Sequence, residues 1–321
     1  MKTCLIFGQN GLDLDVAFNL VEFYKKLGFK TYFSEKLLDA SLLVILRAVD
    51  QPIDISDKNY SQIHVYDYGG WSYDGCIESL PFEKTYIFTT AEKHRNHLIS
   101  SLNFPPEQVY ITIPPVETKL WVETEKNKVF NFVHIGNFKN IEEKDEVREK
   151  FNISIDQLDT NLWGMGWNSL KYGEKYHGKA GLFDVSKIYS KSKYALGLMY
   201  PFQRDITFSG RFWHAPLNGC YLFSEPGLYT KEVPGVIETD YSTENILAKS
   251  SNLNDFDGLQ KKAIYFWEEK NKQHQDLVLS IMDKTNFNNG FVKNYYKEKI
   301  INILRVYYQK FNLFKLINKL K

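Results

Sequence analysis

The sequence predicts an α/β fold of two successive halves, each a parallel sheet wound with helices. Three observations carry that expectation. Short apolar runs ending in turn residues alternate with helix-spaced segments from residue 3 to residue 113. Ile113-Pro114-Pro115 then interrupts the pattern, and a polar stretch follows. From Phe130 the same alternation starts again.

In the first half, Thr3–Gly8 reads as a strand ending in glycine. Val16, Leu20, Phe23, Tyr24 and Leu27 fall at helical spacing, and Gly28 sits where a glycine closes a helix. Further strands are expected at Thr31–Phe33, Leu42–Leu46, Ile63–Tyr66, Tyr86–Thr89 and Val109–Ile113, and Glu117–Lys128 reads as a linker. In the second half the expected strands are Phe130–Gly136, Thr160–Gly164, Tyr194–Met199, Cys220–Ser224 and a short one at Val236–Ile237. Helices are expected around Glu142–Phe151, Val185–Lys193 and Gly210–Asn218, with one long helix over Lys261–Asp283. The division is therefore 1–122, 129–258, a helical region 259–290 and a tail 291–321.

Composition narrows the function classes. At 321 residues the chain is long enough for two domains, and 43% hydrophobic with 25% charged residues fits a folded chain. A net charge of +1 gives no bulk attraction to nucleic acid. Three scattered cysteines (Cys4, Cys76, Cys220) exclude a disulfide framework or a Cys-rich zinc site. The apolar run at the N-terminus is shorter than a signal-peptide core, and no run of about 18 apolar residues exists to span a bilayer. The expectation is a cytoplasmic protein.

Several segments carry candidate chemistry. Gly8-Gln9-Asn10-Gly11 follows the first strand, where glycines let backbone approach a ligand; it is a single Gly-x-x-Gly pair, not a dinucleotide fingerprint. The segment from His64 to Trp71 ends a strand in Asp67, two glycines and aromatics. Asp67 is a candidate general base, and Tyr66, Tyr68 and Trp71 are candidate stacking faces. Thr90 is a candidate N-cap for a surface helix that would carry His94 and Arg95 in its first turn. In the second half, Gly136, Asn137 and Lys139 end one strand and Gly164 ends the next. Ser209, Gly210 and Arg211 open a helix whose N-terminus, with the arginine, suits a phosphate.

The order of Ile135-Gly136-Asn137, Trp163-Gly164-Met165-Gly166-Trp167, His177-Gly178, Ile188–Lys193, Ser209–Ala215 and Asn218-Gly219 resembles the C-terminal domain of GT-B glycosyltransferases. The likeness is nearest to spore-maturation-type and bacterial surface-polysaccharide transferases. Their string Arg-x-Phe-Glu-Ala-x-x-x-Gly is kept at Arg211, Ala215 and Gly219, while His214 replaces the glutamate that commonly touches the donor ribose. The resemblance implies two Rossmann-like domains facing a central cleft, with a final helix crossing back to the first. A sugar nucleotide is then the co-substrate, with no other cofactor and no metal. It further implies Asp67 as base with Asp13 behind it, and donor contacts from Gly8, Gly11, Gly136, Asn137, Lys139, Gly164, Lys179, Arg204, Ser209, Gly210, Arg211 and His214. The alternatives are a non-catalytic sugar- or nucleotide-binding relative and a sugar-nucleotide epimerase.

The tail changes the meaning of the net charge. Residues 291–321 hold eight Lys and Arg against one Glu, so this segment carries +7 and the rest −6. Ile300, Leu304, Tyr307, Phe311, Phe314 and Ile317 recur every three or four residues, which predicts a basic amphipathic helix suited to an anionic membrane surface. The competing reading is a helix packed on its own protein or on a second copy. A peripheral enzyme at the inner face of the membrane fits a lipid-linked glycan acceptor.

Overall fold

The computed structural model describes residues 2–8, 14–46, 52–68, 74–123, 127–138, 145–199, 204–205 and 209–284. The expected tail helix, Gly11, Asp13, Trp71 and Lys139 lie outside these residues.

The first half runs β1 (Thr3–Phe7), α1 (Leu14–Lys26), β2 (Lys30–Ser34), β3 (Leu42–Leu46), β4 (Gln62–Asp67), α2 (Asp74–Glu78), β5 (Thr85–Thr89), α3 (Glu92–Ser101), β6 (Val109–Ile111) and α4 (Thr118–Trp121). The second runs β7 (Phe130–Ile135), α5 (Glu146–Gln157), β8 (Asn161–Trp163), α6 (Ser169–Tyr172), α7 (Leu182–Ser190), β9 (Ser192–Gly197), α8 (Arg211–His214), β10 (Tyr221–Ser224), β11 (Val236–Glu238), α9 (Thr243–Ser250) and α10 (Phe256–Lys284).

Among the described residues, the strands form two separate sheets, ordered β2-β1-β3-β4-β5-β6 and β11-β10-β9-β7-β8. Every pairing within them is parallel. The apolar runs that mark β1, β3 and β5 are buried along their whole length, as strands covered on both faces must be. Each sheet has apolar clusters on both faces. The winding direction reverses between β1 and β3 in the first sheet and between β7 and β9 in the second.

Helix α10 joins the two halves. At 29 residues it is about 43 Å long at 1.5 Å per residue. Its first turns place Ala263 and Trp267 in the core of the second half. Its last turns place Val278, Ile281 and Met282 in that of the first. Between them the Asn271 side chain accepts from Val116 N at 2.8 Å and donates to Val116 O at 2.6 Å. His274 Nε2 lies 2.8 Å from the Tyr66 hydroxyl, which lies 2.9 Å from that of Tyr24; Tyr24 in turn is 2.6 Å from His64 Nδ1. This buried chain of polar groups docks the helix on the first sheet.

The structure corrects four local expectations. The expected linker begins as helix α4, with Trp121 buried and its Nε1 donating to Asn19 Oδ1 at 2.7 Å. The helix expected over Gly210–Asn218 is broken: α8 has four residues, Pro216 starts a separate 3₁₀ turn, and Gly219 closes it at φ 63°. Ala91, not Thr90, occupies the N-cap position of α3, and its side chain makes no capping hydrogen bond. Tyr66 and Tyr68 are core residues rather than exposed stacking faces, since β4 is buried on both sides.

Candidate active site

A cavity of about 580 Å³ opens over the carboxyl ends of β7, β8 and β9. This is the reversal point of the second sheet, where the loops from neighbouring strands run to opposite faces and leave a crevice. Its floor is a set of backbone turns. Gly136 N donates to Trp163 O at 2.8 Å, Phe138 N to Met165 O at 2.7 Å, and Met165 N to Asn137 Oδ1 at 2.8 Å. Trp167 Nε1 donates to Gly136 O at 2.8 Å. Gly164 has φ +134°, and a Cβ there would fall 2.1 Å from Gly136 O. Only glycine allows the two loops to touch.

The charged lining is cationic. Arg148 from α5, Lys179 and Arg211 border the cavity, and among the described residues no carboxylate lines it. Arg211 bridges the two strands at the reversal point: its Nε donates to Ile135 O at 3.0 Å and its Nη1 to Leu198 O at 3.4 Å. Phe138, Phe151, Trp167 and Met165 add apolar surface. His134 also lines the space. Its Nδ1 lies 2.7 Å from Leu196 O, and burial together with Arg211 pushes its pKa down to about 3. A concave, cationic and partly aromatic pocket matches a phosphorylated ligand with a flat or apolar part.

Of the residues singled out from sequence, Gly136, Asn137, Gly164, Lys179 and Arg211 meet in this cavity. The remaining described ones do not line it. Gly8 packs against Phe33 and Leu46. Arg204 is engaged by carboxylates, its Nη2 2.9 Å from Asp145 and its Nε 3.3 Å from Glu225, so it ties the start of α5 to the end of β10 instead of facing a ligand. Ser209 Oγ accepts from Arg211 N at 3.4 Å. His214 turns toward the first half, with its Nε2 3.4 Å from Asp15 Oδ2, and Gly210 borders the same carboxylate. A helix as short as α8 also has little dipole, so Arg211 itself supplies the charge there.

Asp67 is 1% exposed, and its Oδ2 lies 3.2 Å from His94 Nε2. His94 Nδ1 is in turn 3.1 Å from Thr89 Oγ1. His94 is thus a buried partner of Asp67, not a surface residue of α3. The Tyr229 hydroxyl from the second half donates to Thr90 O at 2.8 Å, close to this pair. Among the described residues, no group of three or more His, Cys, Asp and Glu comes together to hold a metal ion. Sequence reasoning missed Arg148 and His134 as cavity residues and Asp15 as the partner of His214. The only signal for Arg148 was its helical register with Phe151 and Asn152.

No protein-family model matches the sequence, and no curated protein is significantly similar to it. Solved structures are similar in fold. AviGT4, a glycosyltransferase involved in avilamycin A biosynthesis, superposes with a TM-score of 0.60 at 10% identity, covering 86% of this chain and 96% of its own. A glycosyltransferase from Rickettsia africae gives 0.57 at 9% identity, over 89% and 99% of the two chains. HepE from Anabaena, solved with UDP and glucose, gives 0.52 at 9% identity, over 87% and 100%. Two parallel sheets of this order, linked by a crossing helix and facing one another across a cleft, give this chain the GT-B fold.

Proposed function

We propose that the protein is a glycosyltransferase that moves a sugar from a nucleotide-sugar donor to a hydroxyl of a glycan acceptor. The observation that carries this reading is the cavity at the β7–β9 reversal point, with Arg148, Lys179 and Arg211 around it and, among the described residues, no carboxylate in its lining. Breaking a glycosidic bond to a nucleotide leaves a diphosphate, and fixed cations neutralise the charge that develops on it. These three side chains supply that charge, which favours transfer without a metal ion. The similar folds of AviGT4 and of HepE with UDP and glucose support the same donor class.

The acceptor enters from the first half. Asp67 is the first candidate to take its proton, with His94 Nε2 held 3.2 Å from its carboxylate. A second candidate is Asp15, because it is 20% exposed and lies at the junction with the helix bearing Arg211. The acceptor class we favour is a lipid-linked surface glycan, and the basic pattern of residues 291–321 supports contact with an anionic membrane. Among the described residues no helix is long and apolar enough to cross a membrane.

The test is turnover of radiolabelled UDP-, GDP- and dTDP-sugars with a lipid-linked acceptor, with and without EDTA. Release of nucleoside diphosphate and labelling of the acceptor are expected, both unaffected by EDTA. Donor binding with neither hydrolysis nor transfer refutes the enzymatic reading and leaves a sugar-nucleotide-binding protein of the same fold. Flotation with phosphatidylglycerol liposomes, compared with a chain ending at Gly290, tests the tail; equal flotation removes its membrane role.

A further inference from the structure

The donor cavity is rich in hydrogen-bond donors and poor in open acceptors. Arg148, Lys179 and Arg211 bring N–H groups to it. Four of the acceptors beside them are taken. Ile135 O and Leu198 O receive Arg211, Gly136 O receives Trp167 Nε1, and Asn137 Oδ1 receives Met165 N.

His134 brings an open acceptor fixed in place. It is 3% exposed, and the edge-on rings of Phe151 and Trp167, at 5.0 and 5.4 Å between centroids, hold its imidazole. Leu196 O can only accept, so the proton sits on Nδ1 and Nε2 carries a lone pair. Nε2 has no hydrogen-bond partner among the described residues. A Cβ on Gly136 would lie 2.7 Å from this nitrogen and 2.7 Å from Arg211 Nη2, so the glycine is what leaves both open. A fixed acceptor and a fixed cation therefore stand side by side. Burial and the nearby guanidinium, which push the imidazole pKa down to about 3, keep Nε2 an acceptor at neutral pH.

We infer that His134 Nε2 accepts a hydrogen bond from a hydroxyl of the bound donor while Arg211 Nη2 holds the adjacent phosphate. This rests on the donor reading of the cavity. A hydroxyl close to a phosphate exists on either side of a sugar diphosphate, in the ribose or in the transferred sugar, and the experiment separates the two. A site built to pair a hydroxyl rejects the analogue lacking it, because a buried polar atom is then left unpaired.

Titration calorimetry with UDP, GDP, ADP and CDP, each against its 2′-deoxy and 3′-deoxy form, reads the ribose. The nucleotide that binds is then tested as its glucose ester against the monodeoxyglucose esters, which reads the sugar. The wild-type protein should bind one hydroxylated ligand about tenfold more tightly than its deoxy counterpart. His134→Phe should lose that preference in the same arm, and His134→Gln, which restores an acceptor, should keep part of it. An unchanged preference in His134→Phe overturns the assignment while the donor reading stands. No binding of any nucleoside diphosphate to the wild-type protein overturns both. Because the Phe variant also strands Leu196 O, the ring ¹⁵N signals of His134 in the unaltered protein give a second test. Its unprotonated Nε2 resonance should shift when the binding nucleotide or its glucose ester is added, and a signal unmoved by both rejects the proposal.

Discussion

Asp15 Oδ2 stands 3.4 Å from His214 Nε2, which joins the first turn of α1 to the short helix carrying Arg211. A second carboxylate–histidine pair, Asp67 with His94, is buried within the first half. The two pairs give the base assignment a sharp test. Asp67→Asn should lower kcat by about 100-fold or more, with donor affinity nearly unchanged. If Asp67→Asn is active and Asp15→Asn is not, the proton goes to Asp15 and Asp67 only positions His94. Steady-state kinetics beside donor titration decide it.

Arg211 holds two strand ends and lines the cavity at once. Lysine keeps the charge but has no planar fork to reach both carbonyls. Arg211→Lys should therefore weaken nucleotide binding by about tenfold or more, measured by calorimetry. Affinity equal to wild type would mean that charge alone suffices.

Gly164 and Gly173 form a matched pair for substitution. A Cβ at Gly164 strikes the Gly136 carbonyl, whereas one at Gly173, also at positive φ, meets nothing within 4 Å. Gly164→Ala should abolish donor binding and lower the thermal midpoint. Gly173→Ala, at φ 53° and ψ −125°, should cost about 1–3 kcal/mol of backbone strain and leave binding intact. Equal effects would show that conformation, not contact between the loops, fixes the glycine.

Three buried histidines make stability depend on pH. Burial lowers the pKa of His64, His134 and His274 to about 3, against about 6.5 in the unfolded chain. Below pH 6.5 the unfolded state takes up protons that the folded state refuses. Their stabilisation is thus complete above that pH and is lost as pH falls toward 3, at about 1.4 kcal/mol per pH unit for each. Thermal midpoints should drop steeply from pH 6.5 to 5, and His274→Gln should flatten the slope. A flat profile in the wild-type protein would show that these rings are not held neutral.

The strands of both sheets were readable because each is a short apolar run with a turn residue after it, as at Leu42–Leu46. The long helix was readable from its spacing, though it begins at Phe256, five residues before the expected Lys261. Arg211 and Gly136 were readable because glycine and arginine at strand and helix ends have few other uses. The misreadings share one cause. Tyr66 and Tyr68 looked like stacking faces because sequence does not say whether a strand is covered on one side or both. His94, His134 and Asp15 acquire their roles from partners brought close only by the fold; Asp15 meets His214 across 199 positions.

The path of α10 orders events during synthesis. Tyr66 finds His274, 208 residues later in the chain, and Val278, Ile281 and Met282 complete a cluster begun by Cys4 and Ile6. The amino-terminal half leaves the ribosome first, yet its apolar face stays uncovered until these last turns emerge. The first half is thus finished only after the second has been made, so a chain halted before His274 carries a complete second sheet beside an unfinished first.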